Sequence, residues 1–84
     1  MSEQTYADRL GSQLRARRRL LRLTQTEVAD LAGTTQRTVS QVEAGKAARV
    51  DLYLTVADVL GLQVTLEPRA RERTFRAETG EVGS

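Results

Sequence analysis

Apolar positions in this chain recur with a helical period over most of its length. Leu10, Leu14 and Leu21 fall at spacings that one side of a helix can gather, with Leu20 and Leu23 adding to its C-terminal end. This predicts a first helix near 6–22. Gly11 inside it is a mild cost, about 1 kcal/mol relative to alanine. A second helix opens at Thr24. Its hydroxyl can accept from amides of the first turn, and Glu27 can reach back to the cap amide, so 24–27 reads as a capping box. Val28, Leu31 and Ala32 are expected inward, with Ala29 allowing a close approach. Gly33 ends this helix, because glycine takes a positive φ without steric cost. Thr35 caps a third helix, on which Val39 and Val42 form a thin inner stripe. Gln36, Arg37, Thr38, Ser40 and Gln41 are left on its outward face, and Gly45 stops it. After a loop over 46–50, a fourth helix is expected over 51–60. Leu52, Val56, Ala57 and Leu60 would face inward, with Asp51 near the positive helix end and Gly61 closing it.

The period then changes. Leu62-Gln63-Val64-Thr65-Leu66 alternates apolar with polar, which is a strand pattern, and Pro68 forbids its continuation as a central strand. A lone strand leaves its amides and carbonyls without a ladder. Pairing with the same strand of a second chain about a twofold axis is therefore expected, carried by Leu62, Val64 and Leu66. The alternative is an extended segment packed on its own helices. The expected organisation is a flexible N-terminus over 1–5, one helical domain over 6–67 with a dimerising strand at 62–67, and a flexible charged tail over 68–84. The fold class is all-α: a compact domain of four to five helices with a short C-terminal β-strand.

Composition narrows the chemistry. At 84 residues the chain is one small domain with a modest core, which oligomerisation would help. There is no Cys and no His, so disulfides, thiolate nucleophiles, imidazole bases and the usual zinc ligands are absent. No nucleophile is paired with a base and no Gly-rich loop cradles phosphate, so neither an enzyme nor a cofactor is expected. No apolar run approaches the roughly 20 residues of a membrane span, and the N-terminus lacks the order of a signal peptide. A cytoplasmic location without membrane contact is expected. The net charge is only +2, from 13 basic and 11 acidic residues. Its distribution says more. Arg15, Arg17, Arg18, Arg19 and Arg22 precede the second helix, and Lys46 and Arg49 follow the third. Such clusters suit phosphates, or are a solvated helix face.

The stretch 24–45 is thus two short helices joined by a tight turn, the second exposing hydrogen-bonding side chains near its start. Reading double-stranded DNA needs that arrangement. Glutamine can pair bidentately with adenine and arginine with guanine; Gln36 and Arg37 stand side by side at the start of the third helix and Gln41 lies one turn further, although a short polar helix can also be simply a solvated surface.

Residues 23–62 resemble the lambda-repressor-like helix-turn-helix family, which contains phage repressors and Xre-type regulators. The matching residues are Thr24-Gln25, Val28-Ala29, Leu31-Ala32-Gly33, Val39-Ser40, Glu43, Gly45-Lys46, Ala57 and Leu60-Gly61. Gly33-Thr34-Thr35-Gln36 followed by Gln41 is similar to the recognition segment of a lambdoid phage repressor, with Arg37 in place of a glutamine. The resemblance implies that Gln36, Arg37 and Gln41 contact bases, with Thr38 and Ser40 on the same face. It implies that Gln25 binds a phosphate and braces Gln36, that Thr35, Lys46 and Arg49 lie by the DNA backbone, and that Arg18 pairs with Glu43. A narrower resemblance lies in VLGLQVTLEPR, which is similar to the end of HipB-type antitoxins. There the strands of two subunits pair, and the homodimer represses its own operon while binding a HipA-type kinase toxin. A sequence-specific repressor is the leading expectation. A protein that chiefly neutralises a kinase toxin, or a restriction-modification controller, would share these residues.

Overall fold

The computed structural model describes residues 4–68, which form four helices: α1 (Tyr6–Leu20), α2 (Gln25–Ala32), α3 (Gln36–Glu43) and α4 (Val50–Val59). α2 packs on α3 and α4, and α1 lies across the same two helices. α1 begins with a cap that the alternation of apolar positions did not reveal. Thr5 Oγ1 accepts the amide of Asp8 at 3.0 Å, and the Asp8 carboxylate accepts the amide of Thr5 at 3.1 Å. Thr5, expected within the flexible N-terminus, is therefore an N-cap, with Asp8 completing a capping box. The remaining expectations for the chain ends, over 1–3 and 69–84, lie outside the described residues.

Helices α1 and α2 end in the same way with different residues. The Leu23 amide donates to Arg18 O at 3.1 Å and the Arg22 amide to Arg19 O at 2.9 Å. The Thr34 amide donates to Ala29 O at 2.9 Å and the Gly33 amide to Asp30 O at 3.3 Å. Both patterns need one residue in the left-handed region. Gly33 supplies it at φ 69°, and Arg22 supplies it at φ 61°. This turn ends α1 two residues earlier than its apolar spacing predicts.

The core is small and aliphatic. Leu14 of α1, Val28 and Ala29 of α2, Val39 and Val42 of α3, and Val56, Ala57 and Leu60 at and after α4 are all buried. Full burial of each Val or Leu contributes about 1.5–3 kcal/mol. Leu31 does not join them: it is 64% exposed. On a helix of 3.6 residues per turn, Val28, Ala29 and Ala32 share one stripe and Leu31 falls beside it. Leu20 is likewise off the stripe of Leu14, and it is 72% exposed. Leu21 follows the last turn of α1 and is exposed too. Tyr53 is buried instead, on the stripe it shares with Val56, Ala57 and Leu60. α4 starts and ends one residue before its expected bounds.

Gly11 decides how closely α1 meets α3. A Cβ at this position would lie 2.4 Å from Val42 O and 2.6 Å from Glu43 O. No side chain fits there, and the flexibility cost of glycine in a helix is offset by this backbone contact. Gly11, Leu14 and Arg18 lie on one face of α1, all three buried.

Residues 61–68 run without regular structure, and no strand forms among the described residues. The alternating segment 62–67 instead borders a groove with α1, lined by Tyr6, Leu10, Leu62, Val64 and Leu66. Leu62 packs partly on the core, whereas Val64 and Leu66 are exposed. The alternation is present, but among the described residues it has no neighbouring strand to form a ladder with.

Candidate nucleic-acid interface

The turn between α2 and α3 is set by short-range chemistry. Thr24 Oγ1 accepts the Glu27 amide at 3.0 Å, and Glu27 Oε1 accepts the Thr24 amide at 2.8 Å. Gly33 then turns the chain. Thr35 Oγ1 accepts the Thr38 amide at 3.1 Å and its hydroxyl donates to Thr38 Oγ1 at 3.1 Å. With both ends of the turn capped, α3 starts at a fixed place relative to α2.

α3 separates sharply into two faces. Val39 and Val42 have no exposure, while Gln36, Arg37 and Gln41 are exposed. Thr38 and Ser40, expected fully on the outer face, are half-buried, and the Thr38 hydroxyl is engaged by the cap. The most accessible polar groups are therefore Gln36, Arg37 and Gln41.

A continuous chain of polar contacts runs from this face into the domain. Gln36 Nε2 donates to Gln25 Oε1 at 2.5 Å. Gln25 Nε2 donates to Glu43 Oε1 at 3.0 Å. Arg18 holds Glu43 with a fork, Nε to Oε2 at 2.5 Å and Nη2 to Oε1 at 3.0 Å, and donates through Nη1 to Leu23 O at 2.8 Å. The structure thus brings together Gln36, Gln25, Glu43 and Arg18, which are far apart in sequence. Among the described residues no buried side-chain polar atom lacks a partner. Burial alone would raise the Glu43 pKa. Hydrogen bonds from Arg18 and Gln25, with the charges of Arg18 and Arg15, reverse this and hold the carboxyl below its ordinary value of 4.5. The hydrogen bond to Glu43 likewise holds Arg18 above its ordinary range, against the opposing effect of burial.

Lys46 and Arg49 lie on the loop after α3, both exposed. This loop is held by Tyr53, whose hydroxyl accepts the Ala47 amide at 3.1 Å and donates to Ala47 O at 3.2 Å. Arg49 forms its own fork with Asp51, Nε to Oδ1 at 3.1 Å and Nη2 to Oδ2 at 2.6 Å. The arginine cluster of α1 divides by task. Arg17 Nε donates to Leu60 O at 2.9 Å, closing the end of α4, and Arg18 is buried in its ion pair, whereas Arg15, Arg19 and Arg22 are exposed. Sequence reading missed Arg17, Tyr53 and Gly11. Tyr53 was detectable from the i, i+3, i+4, i+7 series it opens. The other two roles depend on a helix remote in sequence and left no local trace.

Among the described residues no acidic or metal-ligating cluster could hold an ion, and no helix is long and apolar enough to cross a membrane. None of the curated proteins compared matches the chain. A protein-family model described as helix-turn-helix matches residues 14–66, which is more than half of the chain and spans the α2–α3 unit, the ion pair and α4. The capped turn, the two-faced α3 and this match agree, and the chain belongs to the helix-turn-helix family of DNA-binding regulators of the Xre and lambda-repressor type.

Proposed function

We propose that this protein is a sequence-specific transcriptional repressor that binds a palindromic operator as a homodimer. The observation that carries the reading is the exposed trio Gln36, Arg37 and Gln41 on a helix whose start is capped and whose first side chain is braced from inside. In this reading α3 enters the major groove. Arg37 pairs with guanine through O6 and N7, and Gln36 and Gln41 reach neighbouring base edges, with Thr38 and Ser40 at the margin of the contact. Gln25, Thr35, Lys46 and Arg49 meet the DNA backbone and fix the register. Thr35 can turn its hydroxyl proton from Thr38 to a phosphate, and Arg49 can exchange its exposed carboxylate partner for one.

The dimer rests on the segment 62–67. It lacks regular structure within one chain, it follows α4 directly, and it exposes Val64 and Leu66. Antiparallel pairing of two such segments would supply the missing ladder and cover both side chains. The position of this segment also favours a second reading, an autoregulating antitoxin that binds a HipA-type kinase toxin, tested by co-purification with the product of an adjacent gene.

Selection of bound DNA from a random pool, followed by gel-shift titration, tests the repressor reading. The selected site should be a palindrome. Arg37→Ala should cost about 1–3 kcal/mol and relax one position in each half-site. Lys46→Ala should weaken all sites alike and lower the salt slope by about one. If Arg37→Ala weakens every DNA equally, base reading by this residue is wrong.

A further inference from the structure

Arg17 and Arg18 are neighbours in α1, yet they hold different helices. Arg18 forks onto Glu43 at the end of α3. Arg17 donates Nε to Leu60 O, the C-cap of α4, at 2.9 Å. The chain leaves α4 at this point. The Leu62 amide donates to Ala57 O at 2.8 Å, the Gly61 amide to Asp58 O at 3.0 Å, and Gly61 takes φ 75°. These bonds satisfy earlier carbonyls, and among the described residues they leave that of Leu60 without a backbone donor. Arg17 supplies one, and its charge suits the negative end of the helix. A Cβ on Gly61 would lie 3.5 Å from Arg17 Nη2, so the guanidinium rests against the turn itself. The core buries the Leu60 side chain but does not grip the peptide between Leu60 and Gly61. Glycine is the residue freest to rotate, so this joint is where the exit of 62–67 could swing. Arg17 holds the joint by its carbonyl.

We infer that Arg17 is a positioning residue for operator spacing: with Arg18 it makes the end of α1 a bracket that fixes the exit of 62–67 relative to α3. The inference deepens the repressor reading and rests on its dimer through 62–67. In a twofold dimer any swing at the exit is repeated in the partner, so it changes the separation of the two α3 helices twice over. DNA is unforgiving of such a change. Each base pair added between half-sites moves them apart by about 3.4 Å and turns one against the other by about 34–36°. A dimer with a fixed exit fits one spacing. A dimer with a loose exit fits several, each with a smaller advantage.

The selected half-sites are placed in palindromes whose centre is shortened or lengthened by one base pair, and each is titrated by gel shift. Engaging both halves raises affinity by about 100- to 10,000-fold, so wild type should favour one spacing over its neighbours by at least about 10-fold. Arg17→Met keeps a long side chain and the helix preference but has no donor. It should reduce that ratio below about 3-fold, because part of the gain is then recovered at the wrong spacings. Its light-scattering mass and its affinity for a single half-site should match wild type. A role in stability alone lowers affinity at every spacing alike and cannot move the ratio. A glycine inserted after Gly61 leaves the Arg17 bond in place and loosens the exit directly, so it should flatten the profile in the same way. A sharp profile kept by Arg17→Met, or by the insertion if Arg17→Met does not fold, overturns the bracket, and so does a flat profile in wild type. Val64→Pro should be monomeric; a dimer of wild-type mass overturns dimerisation through 62–67 and the bracket with it. A wild-type chain that selects no sequence from the pool overturns the repressor reading itself.

Discussion

Among the described residues, two arginine–carboxylate forks of the same chemistry stand in opposite settings. Arg18 and Glu43 join α1 to the end of α3, with side chains 11% and 4% exposed. Arg49 and Asp51 join the cap of α4 to its first turn, two residues apart, with side chains 72% and 58% exposed. Shape alone would rate them equal. Burial separates them, because a surface pair is screened by water and salt and contributes about 0–1 kcal/mol. Breaking a buried one leaves an uncompensated charge, at about 3–5 kcal/mol. The inner fork has become part of the fold and sets the geometry behind α3. The outer fork can be dissolved with little loss, which suits the phosphate contact proposed for Arg49.

The contrast can be broken at its strongest point first. Glu43→Ala and Arg18→Ala should each lose about 3–5 kcal/mol in urea unfolding, and values within error of wild type would remove the structural role of the inner pair. Acid should take away part of the same stabilisation. Because the folded Glu43 pKa lies below its ordinary 4.5, the contribution is present above that value and lost as pH falls through the folded pKa. The gap in unfolding free energy between wild type and Glu43→Ala should therefore narrow only in acid; a gap independent of pH would contradict this. Gly11→Ala touches no charge but drives a methyl into the carbonyls of Val42 and Glu43. It should lose about 1–3 kcal/mol by overpacking, and a stabilised variant in thermal melts would show that α1 can shift. The smallest effect belongs to the outer fork. Asp51→Ala should change stability by less than about 1 kcal/mol, and less still at high salt. A larger loss would mean that the two forks are not so different.

Much of this organisation is written locally and can be read from the chain. Thr24 with Glu27, Gly33 and Thr35 fix the borders of α2 and α3 through contacts within a few residues, and each stands where its spacing predicts. The division of α3 into Val39 and Val42 against Gln36, Arg37 and Gln41 follows from periodicity alone. What failed was inference from residue type without phase. Leu31 and Leu20 are apolar but sit beside their stripes, and Tyr53 was passed over although it lies on one. Gly11 and Arg17 act on backbone that arrives from elsewhere in the fold, at Val42 and Leu60, so no neighbouring residue announces them. The segment 62–67 carries a strand's alternation, but a ladder is a property of two segments and cannot be decided by one.

Tyr53 has a consequence for the speed of binding. By engaging both backbone groups of Ala47, it ties down the loop that carries Lys46 and Arg49 when the domain folds. A loop that had to order on contact would add a slow step after encounter. If Lys46 and Arg49 meet the DNA backbone as proposed, the loop that carries them is already ordered, and docking would proceed as the meeting of two preformed surfaces, with a rate set by diffusion and electrostatic steering.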